Sequence, residues 1–167
     1  HILEKIKREW DFEKEADEGF LKKGISYYLA LKEITEKNKL DALSLKDVDG
    51  MKKLLKFPPA MIFMLLSDEL NLCTIPENDT MGAVTQLVVK HLTGQKAAYL
   101  EFYEFFENSV LMGVPDYVPS EVVEGKVKVK PAAFGLNCVS KKVDQGPCAG
   151  HDPARRGRSK RGIFAAN

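Results

Sequence analysis

Pro58-Pro59 and the run Ala60–Leu66 behind it constrain this chain more than any other stretch. Proline lacks an amide donor and clashes with the preceding helical turn, so the pair must end or kink any helix that leads into it. The same pair suits the first turn of a new helix. Ala60-Met61-Ile62-Phe63-Met64-Leu65-Leu66 is apolar on every side. A helix with no polar face has to be covered all round, and this one is too short to cross a bilayer. The run therefore predicts a central helix inside a packed domain.

Helical periodicity elsewhere in residues 1–114 supplies the expected cover. His1–Lys37 reads as one or two helices, with Ile2, Ile6 and Trp10 at a spacing of four, then Phe12, Ala16 and Phe20. The change of register, with Gly19 and Gly24, places a break near residues 19–24, and Asn38 is a helix stop. Ser44 and Asp47 mark the start of a helix carrying Met51, Leu54 and Leu55. Asn78-Asp79-Thr80 reads as an N-cap for a helix to about His91 on Val84, Leu87, Val88 and Leu92, closed by Gly94. Those three residues also fit a glycosylation sequon, but a cap explains them without assuming secretion. Gln95–Met112 puts Ala98, Tyr99, Phe102, Phe105 and Phe106 on one broad helical face, with Gly113 and Pro115 as the stop. Core packing is the expectation for that face. The expected fold class is therefore all-α, a small bundle of about five helices over 1–114. It is followed by an extended basic C-terminal arm over 115–167. In the arm, Tyr117–Val123 and Lys126–Lys130 flank Glu124-Gly125 as a short β-hairpin signal.

Charge divides at the same boundary. Residues 1–114 carry 15 Lys and Arg against 19 Asp and Glu, while residues 115–167 carry 10 against 5. Five of the eight prolines lie in the shorter part. A mildly acidic body thus carries a basic, turn-rich tail, which suits an acidic surface such as nucleic acid, anionic lipid or protein. The tail has too few apolar side chains to order itself and is expected to do so by docking. Arg155, Arg156, Arg158, Lys160 and Arg161 are spaced by Gly157 and Gly162, with Lys141 and Lys142 upstream. Such segments meet phosphates or carboxylates through forked, charge-assisted hydrogen bonds. Phe164 is the lone aromatic residue beside them, so base stacking is poorly supported and an apolar protein anchor is the better reading.

Recognisable catalytic patterns are missing. The chain has no G-x-G-x-x-G, no G-x-x-x-x-G-K-[ST], no G-x-S-x-G and no H-E-x-x-H. His91 falls on the apolar stripe of its helix and is read as a partly buried, hydrogen-bonded residue. Cys138, Cys148 and His151 offer three of four zinc ligands, but the C-x-x-C knuckle and a clear fourth ligand are lacking, and Cys73 serves only if the fold delivers it. No metal and no cofactor are assigned. A Cys138–Cys148 disulfide requires an oxidising compartment, and free thiols are the simpler reading. Glu101, Glu104 and Glu107 form a solvated acidic face, because no E-x-x-H pair accompanies them as a di-iron bundle would need.

These readings converge on a non-catalytic structural or accessory subunit of a large multi-subunit assembly. The helical body docks on one neighbour and the arm reaches across others. The partner- or phosphate-contacting residues are Lys141, Lys142, Arg155, Arg156, Arg158, Lys160, Arg161 and Phe164. An RNA-bound subunit, of the organellar ribosome or viral nucleoprotein kind, is one alternative. An extrinsic subunit of a photosynthetic or respiratory membrane complex is another. Partners are other protein subunits, with nucleic acid as a second class and no membrane span. The His1 start fits a removed targeting peptide or a start inside a longer protein equally well, and an organellar location is weakly preferred to a cytoplasmic one.

Overall fold

A computed structural model describes residues 1–13, 17–113, 117, 119–122, 127–131 and 139–142. In chain order its helices are α1 (Ile2–Glu9), α2 (Glu18–Asn38), a π-helical segment (Asp47–Leu54), α3 (Ala60–Leu70) and α4 (Thr80–Thr93), with a 3-10 turn at Ser120–Val122. Its strands are β1 (Trp10–Phe12), β2 (Ala42–Ser44), β3 (Cys73–Ile75), β4 (Glu101–Phe105), β5 (Val110–Gly113), β6 (Val127–Pro131) and β7 (Val139–Lys142). The strands make three small sheets, β1-β6-β7, β2-β3 and β4-β5. The all-α expectation is thereby corrected to a mixed fold of helices and short sheets.

The double proline starts α3 as expected. The Pro59 carbonyl accepts the amides of Ile62 and Phe63 at 2.8 and 3.0 Å. Every residue from Ala60 to Ser67 is buried. Each large apolar side chain buried there contributes about 1.5–3 kcal/mol, which makes this helix the centre of the core. The cover comes from α2, β3, β7 and the 3-10 turn. Tyr117, Val127 and Val129 join the same core cluster. Asn71, at φ 51°, ends the helix in the left-handed region.

Helix α2 approaches α3 closely because Gly24 has no side chain. A Cβ there would lie 2.6 Å from Met61 Cε and 2.7 Å from Phe57 Cζ. Phe57 is fully buried and stacks on Phe20 with ring centroids 4.4 Å apart. Gly24 is thus a packing residue inside a continuous α2, whereas the sequence suggested a break near it. The break lies earlier, where α1 runs into β1. There Trp10–Phe12 pairs in parallel with Val127–Val129 of β6. β6 also pairs antiparallel with β7, Lys128 facing Lys142 and Pro131 facing Val139. The expected partner of Lys126–Lys130 was Tyr117–Val123, but Ser120–Val122 is a 3-10 turn. The strand was legible from its period of two, and its partners were not: β1 is more than a hundred residues away, and β7, though near, is the short polar stretch Val139–Lys142 with no alternation of its own.

The parallel pair β2–β3 is joined through the π-helical segment and α3, and α4 packs on both strands. The wide turn of the π-helical segment shows in its bonds five residues apart, Met51 N to Lys46 O at 3.1 Å and Leu55 N to Gly50 O at 3.1 Å. It buries Asp47, whose carboxylate accepts the Glu77 amide at 2.8 Å and pairs with Lys52 at 3.1 Å. Asp79 caps α4 as expected, accepting the Gly82 amide at 2.8 Å, and Gly94 closes it at φ 74°.

The largest correction is residues 95–113. They form no helix; Glu101–Phe105 and Val110–Gly113 pair as an antiparallel hairpin. The register shifts between Phe102 and Glu104, so Tyr103 is an extra residue. Phe102 then faces Met112 and Phe105 faces Val110. A bulge of this kind puts residues three apart on the same face of a strand. That spacing is what the helical reading was built on.

Glu69, on the last turn of α3, ties α1 and α2 to the core. Its carboxylate accepts the Tyr28 hydroxyl and pairs with Lys5 at 3.7 Å and Lys32 at 3.5 Å. Partial burial pushes its pKa up. The Tyr28 hydrogen bond and the two ammonium groups outweigh this, leaving it below the ordinary 4.5.

Two outcomes follow from this packing. Gly24→Ala should destabilise the fold by about 1–3 kcal/mol in urea titration, as overpacking does. This reverses the gain of about 1 kcal/mol that the same change gives in an open helix. Around Glu69 the unfolded chain binds its proton at a higher pH than the folded chain does. Stability from this group is therefore present above pH 4.5 and lost as pH falls through the lower folded value. Glu69→Gln should flatten that part of the acid dependence in denaturation curves recorded from pH 6 down to pH 3.

Candidate functional site

Two arrangements in the described residues stand apart from the core, one apolar and exposed, the other polar and recessed. The apolar one is built on the hairpin. Phe102 and Phe105 stack with centroids 5.4 Å apart and an interplanar angle of 17°. They share a face with Val110 and Met112, opposite the face of Glu101 and Glu104. Phe105 is 71% exposed, and Phe102, Tyr103 and Phe106 are also exposed. The turn is closed by the Phe106 amide donating to Ser109 O at 2.8 Å. Gly113 leaves room for Tyr103, whose ring would lie 2.7 Å from a Cβ at that position. The hairpin thus separates aromatic rings from carboxylates, and the aromatic side is open.

Helix α4 adds a second apolar surface. Ala83 and Gln86 are buried against the body, while Met81, Val84, Val88 and Leu92 are exposed, Leu92 at 80%. The stripe read from the sequence is real in spacing but faces outward. His91, expected to be partly buried, is exposed on the same helix.

The polar arrangement is a cavity of about 410 Å³, open to solvent and lined by Ser67, Asp68, Asn71, Lys96, Ser120 and Glu121. Lys96 is only 7% exposed. Its ammonium donates to Ser67 O at 2.7 Å and Ser67 Oγ at 3.0 Å, and Glu121 Oε2 lies 3.8 Å away. Its backbone amide donates to Glu121 Oε1 at 2.8 Å. Ser120 Oγ donates to Asp68, closing the wall from the 3-10 turn back to α3. Burial pulls the Lys96 pKa below 10.5, against the opposing pull of Glu121 and Asp68. Behind the wall, Tyr117 OH and Thr74 Oγ1 share a hydrogen bond, and burial raises the Tyr117 pKa. Burial also raises the thiol of Cys73, which leaves it a poor nucleophile and ligand.

The sequence singled out none of the cavity residues, because a lone lysine between Gln95 and Ala97 carries no pattern. Of the arm residues it did select, Lys141 and Lys142 lie in β7. Arg155, Arg156, Arg158, Lys160, Arg161 and Phe164 lie outside the described residues, as do Cys138, Cys148 and His151. Among the described residues no three His, Cys, Asp or Glu side chains are placed to hold a metal ion. No helix among them is long and apolar enough to cross a membrane. No family model matches the sequence, no curated protein matches it, and no solved structure matches the fold.

The expectation that the Phe102, Phe105 and Phe106 face is core is corrected by this exposure. Phe105→Ala should change stability by no more than about 0.5 kcal/mol, as at ordinary surface sites. Phe63→Ala, in α3, should cost about 3–5 kcal/mol. Parallel urea titrations of the two variants make the comparison.

Proposed function

We propose that this chain is a non-catalytic accessory subunit that docks on a neighbouring protein through the aromatic face of the β4–β5 hairpin. The stacked, exposed pair Phe102 and Phe105 carries the reading. A two-stranded hairpin is marginal in water by itself, and aromatic side chains are the commonest anchors of protein interfaces. The carboxylates sit on the opposite face, so the aromatic side offers a desolvated contact with no charge to bury. The outward stripe on α4 supplies further apolar area. The occupant suited to this surface is an apolar, aromatic-accepting patch on a protein. Nucleic acid fits it poorly, because no cation accompanies the rings on the hairpin. The basic arm at 155–161 is the second attachment in this reading, and it rests on charge pattern alone.

The test is native purification of the tagged chain with and without nuclease, comparing wild type, Phe102→Ser/Phe105→Ser, and deletion of 143–167. That deletion spares β7, which ends at Lys142. Co-purifying proteins should survive nuclease. The hairpin variant should lose them by about 30-fold or more, as two interface anchors would, while its circular dichroism stays that of wild type. Loss of the partners on nuclease treatment would instead support an RNA-bound subunit. Full retention by the hairpin variant would overturn docking through this face.

A further inference from the structure

We propose, resting on docking through the hairpin, that its occupant is a second copy of this chain. In the resulting two-fold dimer the aromatic face of each hairpin packs on the outward stripe of the other copy's α4. One chain carries both halves of that contact. Phe102 and Phe105 form one patch, and Met81, Val84, Val88 and Leu92 form the other. The stripe lies opposite Ala83 and Gln86, the residues that α4 buries against the body. No formal charge stands among its four side chains, so rings packed there bury no unpaired charge. The hairpin base is held beside α4, because Gln86 donates to Ala97 O at 2.6 Å and Tyr99 lies against Gly82. Two adjacent, complementary patches are what a two-fold axis can join, each meeting its counterpart on the other copy.

Charge decides which patch meets which. Residues 101–113 include Glu101, Glu104 and Glu107 and no Lys, Arg or His. Helix α4 is the reverse: Thr80–Thr93 includes Lys90 and His91 and no Asp or Glu. His91 is exposed, and Lys90 is half-buried, donating to Asn71 O. Hairpin against hairpin, or α4 against α4, would gather like charges around the contact. Hairpin against α4 gathers opposite ones, and such complementarity selects the partner and fixes the register. The open area also suits a dimer. Phe102, Tyr103, Phe105 and Phe106 are 51–71% exposed. At roughly 200 Å² per aromatic side chain they leave about 500 Å² uncovered, and the α4 stripe brings each copy toward the ~800 Å² per partner of a stable interface.

The test is sedimentation equilibrium of the full chain, freed of other partners by nuclease and high salt, at up to about 100 μM. Wild type should be a dimer. Phe102→Ser/Phe105→Ser and Val88→Gln/Leu92→Gln should each raise the dissociation constant by about 30-fold or more, since either pair of changes breaks both reciprocal contacts. Circular dichroism of both variants should stay that of wild type. An equimolar mixture of the two variants should associate more tightly than either variant by itself, because the mixed pair keeps one intact hairpin-on-α4 contact. Monomeric wild type would overturn the second copy as occupant and leave docking on another protein standing. A dimer that the hairpin variant does not weaken would overturn the hairpin's part in it. A mixture no tighter than either variant would overturn the pairing of hairpin with α4. Docking through the hairpin fails by a different result, full retention of co-purified proteins by the hairpin variant.

Discussion

The need to cover α3 on all sides organises everything else in the described structure. A helix with a polar face can sit at a surface; Ala60–Ser67 cannot, since every residue in it is buried. α2 can come close only because Gly24 is bare, and the parallel pair β2–β3 can form only because α3 itself is the crossover between them. The last turn of α3 then becomes polar, and its side chains act as ties. Glu69 holds α1 and α2 through Lys5, Lys32 and Tyr28, and Ser67 holds the segment after α4 through Lys96. The polar end of α3 therefore fixes the positions of its neighbours, while the apolar body supplies most of the energy. This division is general: apolar burial is large and undirected, whereas hydrogen bonds and ion pairs are small and directional.

What was legible in the sequence follows the same division. The central helix, its proline start, the Asp79 cap and the Gly94 stop were all readable, because each depends on residues within one or two turns of each other. The short strands were not. Trp10–Phe12, Ala42–Ser44 and Cys73–Ile75 are each three residues long and find partners far along the chain. No window of periodicity can register such a strand. The hairpin failed for a different reason. Its bulge at Tyr103 sets Phe102 and Phe105 three residues apart on one strand face, which is also a helical spacing. The aromatic and turn-forming composition of Phe102–Ser109 was the signal available for a strand, and the periodicity outweighed it. The α4 stripe shows that periodicity gives a face without saying which way it points.

The candidate sites divide likewise. The exposed rings were on the page as residues but assigned to the core, so their value as a surface emerged only from the fold. The cavity was invisible, since it gathers Ser67, Asp68 and Asn71 from the end of α3, Lys96 from the segment after α4, and Ser120 and Glu121 from a turn about fifty residues beyond α3. A cluster assembled from three separated segments, each contributing one to three common polar residues, has no linear signature.

The two surfaces share one structural root. Lys96 and Ala97 sit just before β4. Lys96 is bound to Ser67 and Glu121, and the Ala97 carbonyl accepts the Gln86 amide at 2.6 Å. Tyr99 lies close against Gly82 of α4. The base of the hairpin is thus pinned to α3, to α4 and to the 3-10 turn, although its aromatic face is bare. A hairpin on a loose tether would surrender much orientational freedom on docking, and that loss subtracts from affinity. With the base held on three sides, the stacked rings of Phe102 and Phe105 stand in a fixed direction before any partner arrives. The buried lysine therefore helps hold an exposed hairpin in one orientation, the condition that the proposed docking face would use.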